Sequence, residues 1–218
     1  FKTHPRIGYV FSDALLANAK GQPLGITLWN SLGFAGKEYQ KFLDGKSLEV
    51  LLKHNVVTGA TLAFKASLRE TILPIPKEWV HDGWIATLAA SMDIIGVPVP
   101  EPLILYRQHH RQQIGANRSI ISEVRETSSK KNAGDFHLRA AAYQAVKERI
   151  MASGDGLDQN QPNRIMLLDK KIAHLLRREL IHRSSGRLKL RTVIGELECH
   201  NYKQYSSGWK SIVRDLFF

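Results

Sequence analysis

Cysteine is almost missing from this sequence: Cys199 is the only one in 218 residues. A single thiol closes no intrachain disulfide and builds no cysteine-based zinc site, so small disulfide scaffolds and zinc fingers are excluded. This usage suits a reducing compartment. Long hydrophobic runs are missing too. No stretch reaches 18 apolar residues, so no segment reads as a membrane-spanning helix, and no secretory leader is visible. Also missing are a glycine-rich phosphate loop, a Gly-X-Ser-X-Gly elbow, a nucleic-acid motif, an internal repeat and a low-complexity tract. The sequence starts at Phe1 and runs straight into a strand-like segment. The reading therefore expects a fragment lacking the front of its domain, with an open apolar edge near Ile7–Phe11.

What is present is ordinary globular material, with 43% hydrophobic and 23% charged residues, enough for one domain or one domain with a helical appendix. Acid is scarce relative to base, and the net charge is +11. The imbalance is uneven: residues 1–115 hold 12 basic and 9 acidic side chains, and residues 116–218 hold 19 and 11. A basic second half suits a phosphate-rich ligand, an anionic membrane surface or nucleic acid, and equally a solvated helical face.

The pattern predicts an α/β front half. Ile7–Leu16 and Val56–Phe64 read as strands, rich in β-branched and aromatic residues. Gly96–Tyr106 reads as an edge strand, because it holds three prolines. Ser47–His54 reads as a short helix with Ser47 as its N-cap, and Gly33–Gly45 as an irregular loop. Val80–Met92 is the clearest helix, with Trp84, Leu88 and Met92 in one stripe. Behind Gly115 the texture is helical: Phe136–Met151, then Asn163–Ile181 closed by Ser184-Ser185-Gly186. Ala116–Asn132 is a polar connection or a helix. The Lys170-Lys171 and Arg177-Arg178 doublets fit a solvated helix face.

Three blocks carry chemistry. Val57-Thr58-Gly59-Ala60 ends a strand with a hydroxyl and two small residues that let a ligand approach the backbone; the plain alternative is a strand bulge. His81-Asp82-Gly83-Trp84 puts an acid in a helix's first turn. There it can serve as a base, or simply stabilise the helix dipole. Tyr106-Arg107-Gln108-His109 ends a strand with a guanidinium suited to phosphate and an imidazole suited to a metal.

The order and wording of these blocks resemble the catalytic half of a family 2 glycosyltransferase with the GT-A fold, of the kind that builds bacterial surface polysaccharide. The resemblance covers residues 7–116. It implies a partial GT-A sheet with packed helices over 1–116 and a helical extension over 117–218. It implies inverting transfer of a sugar from a nucleotide-sugar donor to a saccharide or lipid-linked acceptor, in the cytoplasm or peripherally at the inner face of the cell membrane, and without nucleic acid. It makes Asp82 the base, His109 a ligand of Mg²⁺ or Mn²⁺, and Thr58, Gly59, Ala60, His81, Trp84, Arg107 and Gln108 substrate contacts. Two departures stand out. Gly83 replaces a tryptophan of the family pattern, and the family's Asp-X-Asp is missing, Ser12-Asp13-Ala14 having one carboxylate only. The rival expectations are a basic helical nucleic-acid-binding or scaffold module, and a non-catalytic transferase-like domain.

Overall fold

A computed structural model describes residues 6–108, 132–153 and 160–217. The described chain is α/β, with a small mixed sheet of four strands surrounded by helices. Strand β1 (Ile7–Ala17) is its centre. β4 (Ile95–Arg107) runs parallel to it along its whole length. On the other side β3 (Leu62–Phe64) pairs with Tyr9–Phe11, and β2 (Pro23–Thr27) pairs with Leu15–Ala17, both antiparallel. The open edge expected at Ile7–Phe11 is therefore not there. That stretch is bonded on both sides, and the outer strand is β4, where Leu103 and Leu105 are exposed.

Close contact explains this register. Gly96 faces the ring of Tyr9, and a Cβ there would fall 2.1 Å from Tyr9 Cζ, so only glycine lets β4 lie against this aromatic residue. Tyr9 and Phe11 then join Trp29, Phe34 and Phe42 in a buried aromatic cluster. The cluster draws in α2 (Lys37–Leu43), inside the span expected to be irregular. Asp13 is buried, and its Oδ1 accepts from the backbone N–H of Ala14 (2.7 Å) and of Trp29 (2.9 Å). It thereby ties α1 (Leu28–Leu32) to β1.

Helix α3 (Ser47–Lys53) starts as expected, but Ser47 is not its cap. Lys46 holds that position and no side chain caps it. α4 (Arg69–Ile72) is a single turn. α5 (His81–Ser91) is buried from Asp82 through Ser91. It is apolar around most of its circumference rather than along one stripe, as befits a helix enclosed on all sides.

The rear helices are α6 (Asn132–Ala152), α7 (Gln161–Arg183), α8 (Gly186–Glu198), α9 (Asn201–Tyr205) and α10 (Trp209–Phe217). They are built into the same core as the sheet. Phe136, Tyr143, Val146, Leu168 and Leu175 pack in one cluster with Tyr9 and Trp84. Polar ties cross as well: Trp79 Nε1 donates to the Ala142 carbonyl at 2.8 Å, and Arg149 donates to the carbonyls of Thr71, Leu73 and Pro74. The basic doublets do not lie on a solvated face. Lys171 and Arg178 point inward and are buried, while Lys170 and Arg177 lie outside.

Among the described residues, no helix is long and apolar enough to cross a membrane.

Candidate active site

Asp82 sits in the first turn of α5 and is 7% exposed. Its carboxylate accepts three N–H groups. Oδ1 takes the Asn55 Nδ2 at 3.0 Å and the Gly83 backbone N–H at 2.6 Å, and Oδ2 takes the Gly59 backbone N–H at 2.8 Å. A carboxylate offers about four lone-pair directions, so one is unused by the described residues. No cation pairs with it among the described residues. All three donors are neutral groups, fixed by the backbone or by a bonded amide.

The partner loop is shaped around this acid. Asn55 Oδ1 accepts from the Val57 N–H at 3.1 Å, which turns the chain and aims the Asn55 amide at Asp82. The Thr58 carbonyl then accepts from both the N–H and the hydroxyl of Thr61. Gly59–Thr61 is thus a short 3₁₀ turn, and the expected strand shrinks to Leu62–Phe64. Gly59 has a second function. A Cβ at this position would fall 2.2 Å from His81 Nε2, so glycine lets the exposed imidazole lie over the loop. Thr58 and Gly59 are half-buried and Ala60 is exposed beside them.

Asp82, His81, Thr58, Gly59 and Ala60 therefore meet in one place although 21 residues of chain lie between Ala60 and Asp82. Chemically, the arrangement is an oriented carboxylate with one lone-pair direction unused by the described residues, next to an imidazole and a small-residue loop. It can take a proton from a hydroxyl that reaches that direction. It can equally serve as a pin that joins the loop to α5.

Trp84, another expected contact, lies in the core. It is 0% exposed. Its Nε1 donates to the Ile72 carbonyl at 2.8 Å, and its ring packs by Trp79 and under the Arg149 guanidinium. It is a core residue, and the expected substrate contact is corrected accordingly. Arg107 stands opposite Ala17 at the far end of β4. Gln108 follows it, its backbone N–H donating to the Ala17 carbonyl at 2.7 Å. His109 lies outside the described residues. No group of three or more His, Cys, Asp or Glu side chains that could hold a metal ion occurs among the described residues.

Asn55 is the residue that sequence reasoning passed over. Its only sequence signal is its position before an apolar run; its partner lies 27 residues downstream.

Two further acids are buried in the rear helices. Asp215 receives a two-pronged bond from Arg178 (2.8 and 2.7 Å), with His182 (2.9 Å) and the Tyr202 hydroxyl (2.8 Å) completing its shell. Glu196 binds His174, Arg177 and Asn201. Burial pushes the Asp215 carboxyl up, but the His182 and Arg178 bonds outweigh it and bring it down to about 2. Each of these acids is paired with an arginine and joins helices.

No family model, curated protein or solved structure matches this chain.

Proposed function

We propose that the chain carries the acceptor-activating part of an inverting, GT-A-type glycosyltransferase, which moves a sugar from a nucleoside-diphosphate donor to a saccharide or lipid-linked acceptor. The observation that carries this reading is the convergence of His81-Asp82 with Thr58-Gly59-Ala60 around one carboxylate that no cation among the described residues neutralises. Such a carboxylate keeps the electron pair that a general base needs. His81 and the half-buried loop are the accessible groups beside it. Arg107, Gln108 and His109, with Mg²⁺ or Mn²⁺, enter the proposal through the sequence resemblance alone, and no step is routed through them.

A second reading has its own observation. Three N–H bonds to one buried carboxylate are also what a loop-pinning structural acid requires. This favours a transferase-like domain without catalysis.

The test is a transfer assay with the full-length protein and a panel of nucleoside-diphosphate sugars, with the anomeric configuration of the product read by NMR. The proposal expects an inverted glycosidic product with at least one donor. Donor hydrolysis and transfer both absent across the panel would support the non-catalytic reading.

A further inference from the structure

Among the described residues, one cavity has lysines as the only charged groups in its lining. It lies where the ends of α1 and α3 meet the turn between α9 and α10, and it encloses about 450 Å³. Lys53, His54, Asn55, Lys203, Gly208 and Lys210 line it, and no carboxylate does. Lys53 is paired with Glu38. Lys203 and Lys210 enter no ion pair among the described residues. The Nε2 of His54 is shielded from solvent and has no hydrogen-bond partner. Burial lowers its pKa more than nearby Glu38 raises it, which favours the neutral imidazole. Gly208, with φ +60°, turns the chain into α10. The first N–H groups of that helix lack partners within the helix and mark its positive end.

The contrast with a second polar cavity is informative. That one holds Arg149 and Arg164, but Arg149 is spent on three backbone carbonyls and Arg164 Nε donates to the Ser91 carbonyl at 2.9 Å. Its cations serve the fold. Those at the α9–α10 turn do not.

We propose that the cavity between α3 and the α9–α10 turn binds the phosphate or diphosphate group of a small molecule, with Lys203 and Lys210 as its principal cationic contacts. Lysine is a mobile point charge with three donors, and two of them beside a helix start suit a phosphoryl dianion. Asn55 connects this cavity to the acid, since its side chain lines the cavity and its Nδ2 donates to Asp82 Oδ1. An anion held here lies one side chain away from Asp82. Resting on the reading of Asp82 as the base, the same molecule supplies the reacting hydroxyl, so the acceptor is one that carries a phosphate or diphosphate.

Isothermal titration of the full chain with inorganic pyrophosphate, at low and at physiological salt, tests the site. Binding that weakens with salt is expected. The double variant Lys203→Glu/Lys210→Glu should weaken it by about ten-fold or more per lysine, the usual cost of losing a charge-assisted bond. The milder Lys203→Gln/Lys210→Gln should give a smaller loss in the same direction, with an unchanged melting curve. The control Lys20→Glu/Arg187→Glu makes the same charge change at exposed positions away from the cavity and should leave most of the binding intact. Equal losses in control and test variants, or no pyrophosphate binding by the wild type, would overturn the proposal. Sedimentation with phosphatidylglycerol vesicles separates the sources: binding to vesicles without binding to pyrophosphate would make the patch a membrane contact and sink the small-molecule site. Asp82→Asn should bind pyrophosphate as the wild type does. A catalytic failure of Asp82 therefore leaves this test standing, and a failed titration leaves Asp82 untouched.

Discussion

Asp82 and Asp215 are both buried acids that hold separate segments together, yet they are held in opposite ways. Asp215 is ringed by Arg178, His182 and Tyr202, and its charge is neutralised within a hydrogen bond's length. Asp82 is ringed by neutral amide N–H groups and has one lone-pair direction unused by the described residues, next to a loop and an imidazole that ligands can reach. The Arg178 pair ties Asp215 to the fold, whereas three neutral N–H donors are compatible with either a base or a pin at Asp82. Burial and hydrogen-bond count do not distinguish the two.

The comparison breaks most visibly at Arg178. Arg178→Ala leaves Asp215 buried beside His182 and Tyr202 without its guanidinium. Removing one partner of a buried pair costs about 3–5 kcal/mol. Urea denaturation should show that loss, while the chemistry of the Asp82 cluster in the remaining folded fraction is unchanged. Loss of less than about 1 kcal/mol, the range of an exposed pair, would mean that Asp215 is not the joint described.

Acid should act on the same joint. The Asp215 carboxyl is depressed from its ordinary value to about 2. A depressed carboxyl contributes stability that is present above its unfolded pKa, near 4, and lost as pH falls through its folded pKa. A contribution on the order of 2 kcal/mol should therefore disappear between about pH 4 and pH 2. The histidines act earlier. Burial lowers the pKa of His54 and of His174, in the latter case despite its bond to Glu196. The unfolded chain then binds protons that the folded chain refuses, so stability should start to fall as pH drops below about 6.5. Denaturation midpoints measured from pH 7.5 to about pH 2 check both stages. A flat profile down to pH 4 would contradict the buried, neutral histidines.

Asp82→Asn should cost less than Arg178→Ala, about 1–3 kcal/mol. One oxygen becomes an NH₂ facing the Asn55 amide or the Gly59 N–H, leaving a partly buried donor unpaired. Asn55→Ala, which removes that facing donor, should recover part of this loss in the double variant. Strict additivity of the two changes would show that the Asn55–Asp82 bond has no role.

The smallest effect is expected at Gly59→Ala. The new methyl meets only the end of an exposed His81 ring, which swings aside, so stability should change by less than about 1 kcal/mol. The displaced imidazole should be visible as a changed His81 ring signal by NMR. An unchanged signal would remove His81 from the cluster.

Sequence alone placed much of the framework. The strands read at Ile7–Leu16 and Gly96–Tyr106 fall within one residue of β1 and β4 at each end, and the helix read at Val80–Met92 within one residue of α5. In these segments local pattern and burial agree. The reading failed where distant contacts decide. Val56–Thr61 has a strand's composition, but Asp82 and Asn55 bend it into a turn. Lys37–Leu43 looked irregular between glycines, but Tyr39 and Phe42 join the Phe34 cluster and make it helical. Lys171 and Arg178 read as solvated because charge normally lies outside; their partners are a backbone carbonyl on α9 and an acid on α10. At the site, the acid and its glycine loop were legible as residue types. The Asn55 bridge, the burial of Trp84 and the basic cavity at the α9–α10 turn were not, since each depends on segments brought together by the fold.

The most direct test is the rate of sugar transfer by Asp82→Asn in the full-length protein, normalised to the folded fraction, with Arg178→Ala treated in the same way. If Asp82 is the base, its variant should lose about 10²- to 10⁴-fold in rate, whereas the folded fraction of Arg178→Ala should transfer at nearly the wild-type rate. Equal per-molecule rates in the two variants would contradict the account and leave Asp82 as a pin like Asp215.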